Sequence, residues 1–180
     1  GKLDVDLEAY VAAIQFFDEM TDEGTGRVGY TERGSPSSRV AGMNQEKYPT
    51  DTGEALTAVA LLCRFFLGQN PDEQTIMKDH AELLLRRLPK WVPEGGSDMY
   101  YWYYGSYAMF QMGGKYWNQW NKAMKPAVLE SQRSDGGDAF KGSWDPVGPW
   151  GYAGGRVYST ATMVLCLEVY FRYAKVLGAR

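Results

Sequence analysis

The chain has 180 residues, of which 44% are hydrophobic, 14% aromatic and 23% charged, with 19 basic and 22 acidic residues. That length and apolar fraction fit one globular domain and exclude intrinsic disorder, while a pI of ≈ 5.3 argues against a surface built to neutralise nucleic-acid phosphates. No stretch approaches the roughly 18 apolar residues of a membrane span, and a single His excludes chemistry that needs two.

Residues 5–20 place Leu7, Tyr10, Val11, Ile14 and Phe17 on one helical face, with Asp6, Glu8 and Gln15 off it, which predicts an amphipathic helix with that stripe turned inward. A loop of about thirty residues (21–52) follows, rich in Gly and Tyr and holding Arg27, Arg33 and Arg39. Ala55–Leu67 is apolar nearly all round, as a helix covered on most sides would be, with a start signal at Asp51-Thr52-Gly53-Glu54 and a stop at Gly68. Asn70-Pro71-Asp72-Glu73 opens a second amphipathic helix over 71–88, with Ile76, Ala81, Leu84, Leu85 and Leu88 on its apolar side. Met99–Met112 is again apolar all round and is closed by Gly113. Residues 115–131 return to one stripe, carried by Trp117, Trp120, Met124, Ala127 and Val128. A loop over 132–157 leads to the last apolar helix, Tyr158–Leu177. Short β pieces fit only within Gly26–Thr31 and Phe140–Trp144.

Amphipathic and apolar helices therefore alternate, which predicts two layers, wetted helices outside and covered helices inside. The apolar helices also overlay. Thr57-Ala58-Val59-Ala60-Leu61-Leu62-Cys63 matches Thr160-Ala161-Thr162-Met163-Val164-Leu165-Cys166, with Tyr107-Ala108-Met109-Phe110 between them. The expected fold class is all-α: one domain over 1–180, built from three helical hairpins at about 5–67, 70–113 and 115–177 and stacked into an arc. Cys63 and Cys166 lie inside apolar runs, the habit of buried reduced thiols, and leave the compartment open. With Gly1 at its start, the chain is read as a piece of a longer protein.

The loop before the last helix carries Gln132-x-x-Asp135-Gly136 followed by Gly142-Ser143-Trp144. This resembles the repeat motif of squalene and oxidosqualene cyclases, whose wider superfamily includes protein prenyltransferase β subunits, complement-type thioester domains and some pectate lyases. The stretch from Gly154-Gly155-Arg156 through Tyr173 is similar to the last repeat of bacterial domains in that group. The resemblance implies an α/α-toroid of which this chain spans about half, with Gln132, Asp135, Gly136, Gly142 and Trp144 tying a loop to a helix end. It carries no activity, because one fold hosts several chemistries. The Asp-x-Asp-Asp acid of the cyclases and the Cys-Gly-Glu-Gln thioester are absent, and His80, read as a surface residue on a polar helix, has no zinc-ligand set around it.

Tyr100-Tyr101-Trp102-Tyr103-Tyr104-Gly105-Ser106-Tyr107 reads either as packing between helix layers or as rings facing a ligand. Asp135, Asp138 and Asp145, near Trp144 and Trp150, read as turn chemistry or as carboxylates for catalysis or calcium. Asp98 and Glu94 precede an apolar helix, as caps or as an acid pair. Arg156 precedes another and could meet an anion.

The expected function is a non-catalytic binding or scaffolding domain, with Trp102, Tyr103, Trp144, Trp150 and Arg156 as ligand contacts at the N-terminal rim of the inner helices. Two alternatives stand beside it. One is an enzyme acting on a polysaccharide or isoprenoid through Asp98, Asp135 or Asp138; the other is a structural half completed by the rest of its parent protein or by a second copy. No cofactor, metal or nucleic-acid partner is expected.

Overall fold

The computed structural model describes residues 5–39, 47–94, 96–135 and 139–176, with side chains to 171. Among them are six helices: α1 (Leu7–Met20), α2 (Ala55–Phe66), α3 (Ile76–Leu85), α4 (Met99–Met112), α5 (Gly114–Leu129) and α6 (Gly151–Val176). A two-stranded antiparallel ribbon pairs β1 (Thr21–Asp22) with β2 (Arg27–Val28), and a 3₁₀ turn spans Thr50–Thr52.

The helix α4 sits at the centre and packs against α2, α5 and α6, while α3 packs against α2 and α5. The apolar helices α2, α4 and α6 thus lie side by side, and the amphipathic α3 and α5 cover them. The seam is filled by Leu61 of α2, Met77 and Leu84 of α3, Tyr107 and Met109 of α4, Trp120 and Met124 of α5, and Met163 and Val169 of α6, all buried. Close approach of α4 to α5 depends on Gly105, because a Cβ there would lie 2.5 Å from Trp120 Cζ2. The indole Nε1 of Trp120 donates to Ser106 Oγ at 3.1 Å, so the large ring is buried without an orphaned donor.

The ends of these helices follow local chemistry. The Asp98 side chain accepts from the Tyr101 N–H at 3.1 Å and starts α4, which Gly113 (φ 64°) stops. In α6, Gly155 (φ 61°, ψ −163°) breaks the helix after one turn, so the segment before it is a separate turn rather than part of a straight rod. Residues 70–75, read from sequence as the first turns of the second amphipathic helix, form turns in which Glu73 and Gln74 N–H donate to the Asn70 carbonyl, and α3 begins only at Ile76.

Two expectations are corrected. The α1 stripe is not buried: no residue of that helix is, and Leu7 is 78% exposed. Its chief tie to the body is Asp18, which pairs with the buried Arg64 of α2 at 2.8 Å. Of its apolar stripe only Ile14 and Phe17 are partly covered, and the Arg64 guanidinium lies over the Phe17 ring at 5.9 Å. His80 is not a surface residue but fully buried. The β1–β2 ribbon folds onto α3, Gly26 lies directly over Asp79, and the His80 ring Nδ1 meets the Gly26 carbonyl at 2.7 Å. Periodicity within one helix cannot register a loop that comes to cover it from fifty residues away.

Candidate ligand-binding cleft

The N-terminal ends of α2, α4 and α6 converge, and Tyr30, Ser37 and Ser38 from the segment after β2 join them. The result is a cleft of about 540 Å³ lined by Tyr30, Ser37, Ser38, Ala55, Leu56, Tyr100, Trp150, Ala153, Gly154 and Tyr158. That volume lies within the roughly 300–1,000 Å³ of small-molecule sites. Its wall is mostly apolar and aromatic. The rings of Tyr100 and Trp150 stand 6.2 Å apart at 54°, and Tyr100 meets Tyr104 edge-on at 4.9 Å. Gly154 is required where α6 turns inward, because a Cβ there would lie 2.5 Å from the Tyr158 ring. The Tyr158 hydroxyl is enclosed without a well-formed hydrogen bond. Burial first, and the nearby Asp98 carboxylate second, push its ionisation well above the ordinary phenol range, so it is a neutral phenol. None of the described lining residues carries a carboxylate.

A second cavity of about 390 Å³ lies between the α2 start and the α3–α4 connection. Arg39 and Asp98 form part of its wall. Arg39 donates to the carbonyls of Tyr48 (3.3 Å, Nε) and Ser38 (3.1 Å, Nη1), and its Nη2 faces Asp98 Oδ2 at 3.4 Å, an ion pair without a hydrogen bond. Burial raises the Asp98 carboxyl, against the opposing pull of Arg39 and of the N–H groups at the start of α4.

The residues singled out in the sequence scatter. Trp150 lines the aromatic cleft, whereas Trp102 is buried and borders the second cavity. Tyr103 is half-buried and edge-on to Tyr104 and Tyr107 at 4.8 and 5.1 Å, within a ladder of tyrosines along α4. Trp144 is buried away from both cavities. Its Nε1 donates to the Val128 carbonyl at 2.8 Å, and its own carbonyl accepts from Ser159 Oγ at 2.7 Å. It fastens the loop to the C-terminal end of α5 and the start of α6, so it offers no ring to a ligand. Gln132 Nε2 donates to the Gly142 carbonyl at 2.8 Å, and Gly142 turns with φ 83°. Arg156 is engaged by Asp145 at 2.5 Å, by Ser143 Oγ at 3.0 Å and by the face of Phe140 at 4.5 Å. Although desolvation would raise Asp145, the hydrogen bond and charge of Arg156, with Arg133 behind, hold its carboxyl below the usual range.

The carboxylates do not gather. Asp98 faces Arg39, while Asp135 is exposed and pairs with Arg133 at 3.4 Å. Gly136 and Asp138 lie outside the described residues. Among the described residues no group of three His, Cys, Asp or Glu could hold a metal ion, and no helix is long and apolar enough to cross a membrane. Cys63 and Cys166 are free thiols; burial pushes Cys63 up, and Cys166, fully buried, to about 12.

Sequence reasoning missed Tyr30, Ser37, Ser38 and Tyr158 as cleft residues. The Gly154-Gly155 pair before Tyr158 was the available signal, since two glycines ahead of a helix mark a close approach or a turned backbone. No family profile, curated protein or solved structure matches the chain.

Proposed function

We propose that this chain is a non-catalytic binding domain of the α/α-toroid type, and that its cleft takes a neutral, ring-bearing ligand such as a sugar. The observation that carries the reading is the lining: Tyr30, Tyr100, Trp150 and Tyr158 with the hydroxyls of Ser37 and Ser38, and no carboxylate among the described lining residues. Aromatic faces stack on the apolar face of a sugar ring, and a few hydroxyls orient it. A hydrolase would need two carboxyl groups converging on one bond, whereas Asp98 and Asp135 serve separate ion pairs. The toroid reading rests on the alternation of covered and covering helices and on the loop held by Gln132 and Trp144.

The test is a titration of the protein with neutral oligosaccharides, followed by tryptophan fluorescence and calorimetry. Saturable binding that Trp150→Ala weakens about tenfold or more, with no release of reducing ends on long incubation, is the expected result. Turnover, or binding indifferent to Trp150, would remove the reading.

A second reading is favoured by one further observation. Along α6, Val157, Ala161, Val164 and Phe171 are exposed at helical spacing, Val157 by 83% and Phe171 by 78%. Such a stripe is what a structural arc would present to a further hairpin or a second copy. Sedimentation equilibrium tests it: self-association that Val164→Asp abolishes supports a second copy, and a strict monomer counts against one.

A further inference from the structure

The second cavity, walled in part by Arg39 and Asp98, differs from the aromatic cleft in charge. Among the described residues its lining includes Arg39, Lys47, Arg87 and Lys90 against one carboxylate, Asp98. The protein as a whole carries −3, so this concentration of positive charge runs against the average. Lys47, Arg87 and Lys90 have no carboxylate partner among the described residues. Asp98 is already committed to Arg39.

Arg39 is not a floppy surface cation. Its side chain is only 5% exposed, and its guanidinium packs so closely on Gly53 that a Cβ there would lie 2.5 Å from Nη2. The buried Trp102 and the side chains of Leu88 and Val92 supply apolar walls. A half-enclosed, low-dielectric site strengthens each charge interaction relative to open water. At about 390 Å³ the space would be underfilled by a bare ion and falls within the small-molecule range.

We propose that this cavity binds a small organic phosphate monoester, with the dianion held by Arg39, Lys47, Arg87 and Lys90 and the organic part against Trp102 and Leu88. The site is separate from the neutral-ligand cleft and does not depend on it.

Calorimetric titration with phenyl phosphate, inorganic phosphate and phenol tests the assignment. Phenyl phosphate is expected to bind saturably at one site and more tightly than inorganic phosphate, and phenol not at all. Arg87 and Lys90 are exposed, so Arg87→Glu/Lys90→Glu leaves the core intact, which circular dichroism checks. This double variant should bind phenyl phosphate at least about tenfold more weakly. The control Lys122→Glu/Lys125→Glu, on the exposed face of α5, makes the same change in net charge and should leave binding unchanged. Absence of saturable binding at millimolar phenyl phosphate overturns the proposal. So does equal weakening in both double variants, which would reduce the effect to diffuse attraction, and so does inorganic phosphate binding as tightly as phenyl phosphate, which would leave no organic ligand.

Discussion

Gly105→Ala probes the α4–α5 seam most directly. In an open helix the change would stabilise by up to about 1 kcal/mol, because Ala forms helix better than Gly. Here the new methyl would lie 2.5 Å from Trp120 Cζ2 and also against Cη2. The indole cannot yield easily. It is fully buried, its Nε1 donates to Ser106 at 3.1 Å, and it meets the Tyr101 ring in a T-shaped contact at 5.4 Å and 89°. Overpacking a core costs about 1–3 kcal/mol, and a shift of the ring would also strain a buried hydrogen bond worth about 1 kcal/mol. The clash therefore outweighs the propensity gain, for a net loss of about 2 kcal/mol and a fall in Tm of roughly 4–8 °C for a chain of this size. Urea unfolding should show a lower midpoint with the same m-value. In a Trp120→Phe background, which removes the outer ring atoms, the cost of Gly105→Ala should shrink, because the two positions are coupled. A Gly105→Ala protein at least as stable as its parent, with an unchanged near-UV signal from Trp120, would refute the close approach.

Three further outcomes follow from buried polar groups. Burial holds His80 down at about 4, against the upward pull of its Gly26 hydrogen bond, while the unfolded residue titrates near 6.5. Between those values the unfolded chain binds a proton that the folded chain refuses, so stability is intact above about pH 6.5 and declines toward pH 4, by up to about 3 kcal/mol. His80→Gln should flatten that slope in urea unfolding, and an unaltered slope would count against the assignment. Glu54 is buried and accepts from Arg27 Nε at 3.2 Å and Nη2 at 2.5 Å. Arg27→Ala should cost about 3 kcal/mol by stranding that charge, and adding Glu54→Gln should restore part of it; equal losses in the single and double variants would sink the pairing argument. Trp144→Phe deletes the hydrogen bond to the Val128 carbonyl and should cost about 1–3 kcal/mol in thermal unfolding, whereas a change of a few tenths would mean the loop is held elsewhere.

The helices were legible because each carries its own period. Met99–Met112 has the bounds read from sequence, since a capping Asp98 and a stopping Gly113 frame an uninterrupted apolar run. Burial that depends on a distant segment was not legible. His80 is covered by the β1–β2 ribbon, and the α1 stripe, although patterned for burial, has no buried residue. The site was legible in part: Trp150 and the N-terminal rim emerge from the helix pattern, but Tyr30, Ser37 and Ser38 reach the cleft only through the path of a long loop. Arg156 and Trp144 looked like ligand contacts because ligand chemistry and loop fastening use the same residue types. Only the partners, Asp145 for one and the Val128 carbonyl for the other, separate the two uses.

The Arg39–Asp98 wall also determines how the carboxylates can be tested. Asp98 caps α4 through Tyr101 N–H, faces the Arg39 guanidinium in the wall of the second cavity, and influences the Tyr158 phenol of the aromatic cleft. Asp98→Ala would remove all three at once, so a loss of any ligand-dependent signal would report a collapsed wall and carry no information about acid–base chemistry. Asp98→Asn keeps an oxygen acceptor for the Tyr101 N–H and the shape of the wall, while removing the charge and the titrating proton. If Asp98 only builds the wall, the Asn variant retains binding in the aromatic cleft and stays within about 1 kcal/mol of the parent in stability, since removing a buried carboxyl's desolvation offsets the lost attraction to Arg39. If Asp98 were an acid or base, the Asn variant would be as inert as the Ala variant while binding ligand normally. The pair of substitutions therefore separates a residue that shapes the cavities from one that reacts within them.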